Sequence, residues 1–166
     1  MTTLNRRSFV MQSLAGAGAV IGAGVGLGAW PALAVAGNAP LVQVVKDPSC
    51  GCCGAWVAVL EQAGFTVETR HADNDALYAF KARLGISPDL ASCHTALVDG
   101  YVIEGHVPPA DIRKLLDTRP DAIGLAVPGM PFGSPGMGPE SERDAYDVML
   151  VGRDGKPGLF AHYPAA

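Results

Sequence analysis

The stretch 47-DPSCGCCGAW-56 decides how the chain is read. It sets Cys50, Cys52 and Cys53 within four residues. Upstream, Leu41–Val45 is a short, largely β-branched run, read as a buried strand. Asp47-Pro48-Ser49 is a turn. Downstream, Trp56, Val57, Val59, Leu60 and Ala63 have helical spacing, and Gly64 stops the helix. The cysteines therefore occupy a strand-to-helix junction. A helix N-terminus presents free N–H groups and a partial positive charge. Both favour thiolate over thiol, so these cysteines are predicted to be more acidic than an ordinary one. Gly51 and Gly54 allow a tight turn and close approach, and Trp56 reads as a core side chain.

Working outward, Phe65–Arg70 alternates and reads as a second strand. Asp73 can cap a helix reaching Leu84, with Leu77, Phe80 and Leu84 on one face and Gly85 closing it. Thr95–Val98 and Tyr101–Glu104 form a hairpin around Asp99-Gly100. Pro109 opens a helix with Ile112, Leu115 and Leu116 apolar. The order βαβα then ββα predicts an α/β fold, a thioredoxin-like central mixed sheet with flanking helices. Beyond it lie a Pro/Gly/Met loop and a C-terminal hairpin, Val148–Val151 and Leu159–Tyr163, joined by 152-GRDGKPG-158. Met149 reads as a core residue of that hairpin.

The N-terminus reads as an export signal. Arg6-Arg7 precedes Ser8-Phe9, and no charged residue follows before Lys46. Small-x-small sites stand at Ala32-Leu33-Ala34 and Ala34-Val35-Ala36. The arginine pair resembles the twin-arginine type. The apolar length would permit an uncleaved membrane anchor, but its many glycines and the Ala-x-Ala sites argue for a removable signal. Residues 1–36 are expected to be that signal, and 37–166 one metal-binding domain delivered to the periplasm, with no stable membrane span after cleavage.

Beyond residue 36 stand ten basic and sixteen acidic residues, a net charge of −6. An acidic domain without a basic run is a poor nucleic-acid binder. It suits a protein that meets metal cations. No phosphate-cradling G-x-x-x-x-G-K-[ST], G-x-S-x-G or H-E-x-x-H motif is present.

Two chemistries compete for the cysteines. A dithiol enzyme needs an attacking and a resolving thiol, Cys50 and Cys53, and has no need of Cys52. A single tetrahedral zinc ion wants four converging ligands. Adjacent side chains on a helix diverge by about 100°, which suits one ion poorly. It suits several ions bridged by shared sulfurs. Soft Cu(I) is a natural occupant. A [2Fe–2S] cluster competes, although its usual spacings are missing. Cys93, in 91-ASCHTALV-98, precedes the hairpin's first strand, at a junction expected to face the cysteine loop. It supplies a fourth sulfur, or else a disulfide to one of the other three or a lone buried thiol.

His94 and His106 are candidate secondary ligands or proton carriers. His71 and His162 have no motif around them. Glu104, beside His106, reads as a solvated hairpin charge. In 128-PGMPFGSPGM-137 the triplet Pro-Gly-Met occurs twice. Its turns display Met130 and Met137, either as thioether ligands for Cu(I) or as packing groups.

The strings 49-SCGCCGAW-56, 92-SCHTALVDGYVIEGHVP-108 and 127-VPGMPFGSPGMG-138 together resemble the CopG-like family of periplasmic copper-resistance proteins. The resemblance runs from about Leu41 to Tyr163. It implies a thioredoxin-like domain whose cysteines hold copper, as a polynuclear cluster, with a role in changing its oxidation state. Cys50, Cys52, Cys53 and Cys93 carry over as ligand candidates. One departure is Gly138, where the family leads one to expect an acidic residue. The expected function is an exported copper-binding protein of copper resistance, with copper ions and other periplasmic copper-handling proteins as partners. The alternative is a periplasmic thiol–disulfide oxidoreductase using Cys50 and Cys53.

Overall fold

The computed structural model describes residues 39–166. The expected export signal over residues 1–36 lies outside the described residues. Seven strands form one sheet in the order β2-β1-β3-β4-β5-β6-β7. They are β1 (Leu41–Lys46), β2 (Thr66–His71), β3 (His94–Val98), β4 (Tyr101–Glu104), β5 (Ala122–Ala126), β6 (Tyr146–Gly152) and β7 (Pro157–Tyr163). Among the described residues three α-helices accompany them: α1 (Gly51–Gln62), α2 (Asn74–Arg83) and α3 (Pro109–Thr118). β1 pairs with β2 in parallel through the α1 crossover. β3 is antiparallel to β1 and to β4, so the sheet is mixed.

The local signals act as expected. Asp73 accepts from the Ala76 amide at 2.8 Å and caps α2. Asp99 and Gly100 both have positive φ, +47° and +86°, as a two-residue hairpin turn requires. Strand alternation sends side chains to two cores. Trp56 and Leu60 from α1, with Ile112 and Leu115 from α3, cover Val42, Val44, Ala96, Val98, Ile103 and Leu125 on one face. Ile86 and Leu90, which follow α2, cover Val102, Ala126 and Val151 on the other. Fully burying a leucine such as Leu60 contributes about 1.5–3 kcal/mol.

Two features differ from expectation. β5, the run AIGLA, escapes the sequence reading because it is short and lacks a β-branched pattern. Pairing on both sides makes it a strand, parallel to β4 and antiparallel to β6. The C-terminal hairpin thereby extends the central sheet. Glu104 is not a solvated hairpin charge: it is 0% exposed. Its physical reason is a partner on α2, described below.

Register explains why one end of the sheet gathers the chemistry. Lys46, the last residue of β1, pairs with His94, the first of β3. Thr95 pairs with Glu104, the last of β4, and Glu104 with Ala126, the last of β5. The cysteine loop, Cys93, His106 and the Pro/Gly/Met loop therefore leave the sheet at the same edge.

Candidate metal centre

Cys50 is the N-cap residue of α1, and its amide donates to the Asp47 carbonyl at 3.1 Å. The first turn of the helix carries Cys52 and Cys53. Cys50 and Cys53 are joined as a disulfide, with Cα atoms 5.5 Å apart. Cys52 and Cys93 are free thiols. Cys52 Sγ lies 3.4 Å from Cys50 Sγ and 3.9 Å from Cys93 Sγ. All four sulfurs stand within 4.8 Å of one another. Four sulfur atoms converge from two stretches, Cys52 and Cys93 lying forty-one residues apart. The disulfide nonetheless leaves only two of them as thiols in this form.

The histidines join through Cys93. His106 Nε2 lies 3.1 Å from Cys93 Sγ, and His94 Nδ1 lies 3.3 Å from it. Cys93, His94 and His106 form a second group of donors within 4.8 Å. His106 Nδ1 lies 2.8 Å from the Pro135 carbonyl oxygen. A carbonyl only accepts, so Nδ1 carries the proton. In the neutral ring this leaves the Nε2 lone pair aimed at Cys93. Orientation of a ring by a backbone carbonyl is the arrangement that ligating histidines use. Burial lowers the His106 pKa below its ordinary value, partly opposed by the Pro135 bond. His94 is held well below, by burial and then by the neighbouring His106 and Lys81 charges. Its ring packs on Trp56 at 4.3 Å. His94 Nε2 is, among the described residues, the one buried side-chain polar atom without a hydrogen-bond partner.

Burial and the neighbouring Cys52 push the Cys93 thiol up to about 12. A metal ion arriving at neutral pH therefore has a proton to displace there. The acidity expected of a helix N-terminus does not extend to this sulfur, which sits off the helix.

The Pro/Gly/Met loop lies against the same place. Gly136, with φ +85°, touches the Trp56 backbone so closely that a Cβ would lie 2.6 Å from its nitrogen. The Ser92 hydroxyl donates to the Gly129 carbonyl. Met137 is half-buried beside Gly136, and Met130 is 55% exposed beside Gly129. Gly138 has φ +100°, and a Cβ there would lie 2.6 Å from the Phe132 ring, which accounts for a glycine at the departing position. A cleft of about 260 Å³ opens beside the cysteines, lined by Asp47, Ser49, Cys50, Tyr78, Lys81 and Cys93 among others. His162 is exposed and paired with Asp147, and His71 is exposed at the end of β2.

Sequence reasoning missed the support under Cys93. Lys81 on α2 is 3% exposed, and its Nζ lies 2.6 Å from Glu104 Oε1 and 2.8 Å from Thr95 Oγ1. Glu104 also accepts from the Ser92 amide at 2.6 Å and the Thr95 hydroxyl at 2.7 Å. The available signal was positional. Lys81 falls one turn after Leu77 on the buried face of α2, and Glu104 shares the buried face of its strand with Val102.

Residues 90–137 match a family described as a protein of unknown function, DUF411. No curated protein matches. A solved structure named copper resistance protein copG, Form 2, is 47% identical, covers 76% of this chain and 99% of its own, and superposes with a TM-score of 0.70. Another, named copper resistance protein copG, Form 1, is 45% identical, covers 75% of this chain and 98% of its own, and gives the same TM-score. Identity near one half over almost the full length of both solved chains, with the cysteine strings falling where the sheet edge gathers them, means that this protein belongs to the CopG family of copper-resistance proteins.

Proposed function

We propose that the protein is an exported copper-binding protein of copper resistance that holds Cu(I) on Cys50, Cys52, Cys53 and Cys93. The observation that carries the reading is the convergence of four sulfurs within 4.8 Å from two separate stretches. Thiolates prefer Cu(I), and crowded sulfurs favour several bridged ions over one. His106 and His94 are the nearest additional donors, and Met130 and Met137 add thioethers from the covering loop. The order β2-β1-β3-β4, with β3 antiparallel to its neighbours, supports a thioredoxin-like core. The test is competition of the reduced, anaerobic protein against a soft Cu(I) chelator. More than one Cu(I) per chain is expected, and Cys52→Ser or Cys93→Ser should lower the count. No uptake by the reduced chain would sink the reading.

The Cys50–Cys53 disulfide favours a second reading, a thiol–disulfide oxidoreductase. That reading predicts disulfide reductase activity surviving both substitutions. The two chemistries can be coupled. Forming the disulfide removes two thiolates and passes two electrons to an external acceptor, such as two Cu(II) ions each reduced to Cu(I), so Cu(I) held on those thiolates would be freed as the cysteines oxidise. A redox titration with and without copper tests the coupling, and an unchanged midpoint rejects it.

A further inference from the structure

The segment bearing Cys93 is gripped residue by residue. Glu104, Gly105 and His106 each meet one residue of Ser92-Cys93-His94. Glu104 Oε1 accepts from the Ser92 amide at 2.6 Å. The Gly105 amide donates to the His94 carbonyl at 3.0 Å. His106 Nε2 stands 3.1 Å from Cys93 Sγ. Gly105 has φ +73°, and a Cβ there would lie 2.5 Å from Ser92 Cβ and 2.6 Å from the Val127 carbonyl oxygen. The two segments thus touch through their backbones.

The wholly buried Glu104 is itself anchored, by Lys81 on Oε1 and by the Thr95 hydroxyl on Oε2. Stability alone is a weak reason to keep such a pair. Desolvation offsets much of the attraction, and apolar side chains of similar size often serve as well. What the carboxylate holds is the amide of the residue before Cys93. We propose that Glu104, anchored by Lys81, is a positioning residue that fixes the backbone at Ser92 and so aims the Cys93 sulfur at Cys52 and His106. The copper-binding arm of its test rests on the function proposed above; the positioning itself does not.

Two double variants separate holding from packing. Lys81→Met with Glu104→Gln removes both charges and keeps a side-chain oxygen for the Ser92 amide. Lys81→Met with Glu104→Leu removes both charges and the oxygen. Neither leaves a lone buried charge, so both are suited to measurement as folded protein, well below their unfolding midpoints. The metal-free arm adds Cys52→Ser and keeps the Cys50–Cys53 disulfide, which leaves Cys93 as the sole thiol of the four cysteines. Iodoacetamide should alkylate Cys93 up to about tenfold faster in the leucine version than in the glutamine version, the upper worth of one neutral hydrogen bond. The glutamine version should stay close to its parent. In the second arm all four cysteines are present and reduced. Cu(I) affinity against a chelator should fall about 10- to 100-fold in the leucine version and recover in the glutamine version. Equal alkylation of the two versions overturns the proposal, whether both are fast or both slow. So does equal copper affinity, given uptake by the unmodified chain. If the unmodified chain takes up no Cu(I), the copper reading alone fails, and the alkylation arm still decides the positioning.

Discussion

The two segments that supply sulfur are built differently. Cys50, Cys52 and Cys53 ride on the start of α1, where Gly51 and Gly54 face open space and two backbone bonds brace the loop, Cys50 to Asp47 and Gly54 to Cys50. Cys93 lies off the helix, between a buried histidine and a serine whose amide, hydroxyl and Cβ all meet neighbours. In the first segment Cys50 and Cys52 are half-buried, while Cys53 is fully buried beside the Cys93 carbonyl. If the cysteines exchange a disulfide for metal as proposed, the second segment gives that exchange a fixed reference point.

The contrast can be broken most forcefully at Glu104. Glu104→Ala leaves the Lys81 ammonium buried without its partner. It should cost about 3–5 kcal/mol of unfolding free energy, read by urea denaturation of the metal-free protein. A loss no larger than that of an exposed ion pair would mean that the second segment is not rigidly held. Gly105→Ala should cost about 1–3 kcal/mol, because it combines a left-handed backbone with a backbone clash. Reducing the Cys50–Cys53 disulfide should cost at most about 2 kcal/mol, since it closes a very short loop. If reduction proved costlier than Glu104→Ala, the assignment of loose and tight ends would be reversed.

Acid sharpens the same contrast. His94, beside Cys93, is held below its ordinary pKa by burial, so below about pH 6.5 the unfolded chain binds a proton that the folded chain does not. Stability is therefore complete above that pH and falls as pH drops through it, by up to about 1.4 kcal/mol per pH unit per histidine. His94→Asn should flatten the acid limb of metal-free stability measured against pH. The smallest effect has the opposite sign. Gly54→Ala on α1 adds a methyl group into open space and should stabilise by about 0.4–1 kcal/mol. The same glycine-to-alanine change thus hurts at 105 and helps at 54.

Much of this was legible in the chain. Asp73, Asp99-Gly100 and Gly64 act locally, so their caps and turns are readable without the fold. The cysteines were legible as a group because Cys50, Cys52 and Cys53 are neighbours, and Cys93 immediately precedes a strand whose place follows from the hairpin. β5 was not legible, because its strand state comes from pairing with β4 and β6. At Gly124 the neighbouring strand comes so near that a Cβ would meet the Val102 carbonyl, a constraint invisible until both strands are placed. Lys81 and Glu104 each resemble a surface charge in their own stretch. They are twenty-three residues apart, and only the packing of α2 on the sheet makes them a pair.

The turn at Asp99-Gly100 has a consequence of its own. It fixes which residue of β3 faces which residue of β4, from Val98 against Tyr101 to Thr95 against Glu104. Five residues of extended chain carry that choice from Val98 to Cys93, roughly 17 Å away. The turn is thus a length gauge. One residue inserted there would slide Glu104 off Ser92 and His106 off Cys93 together, and the sulfur would lose its place through an edit made at the opposite end of the sheet.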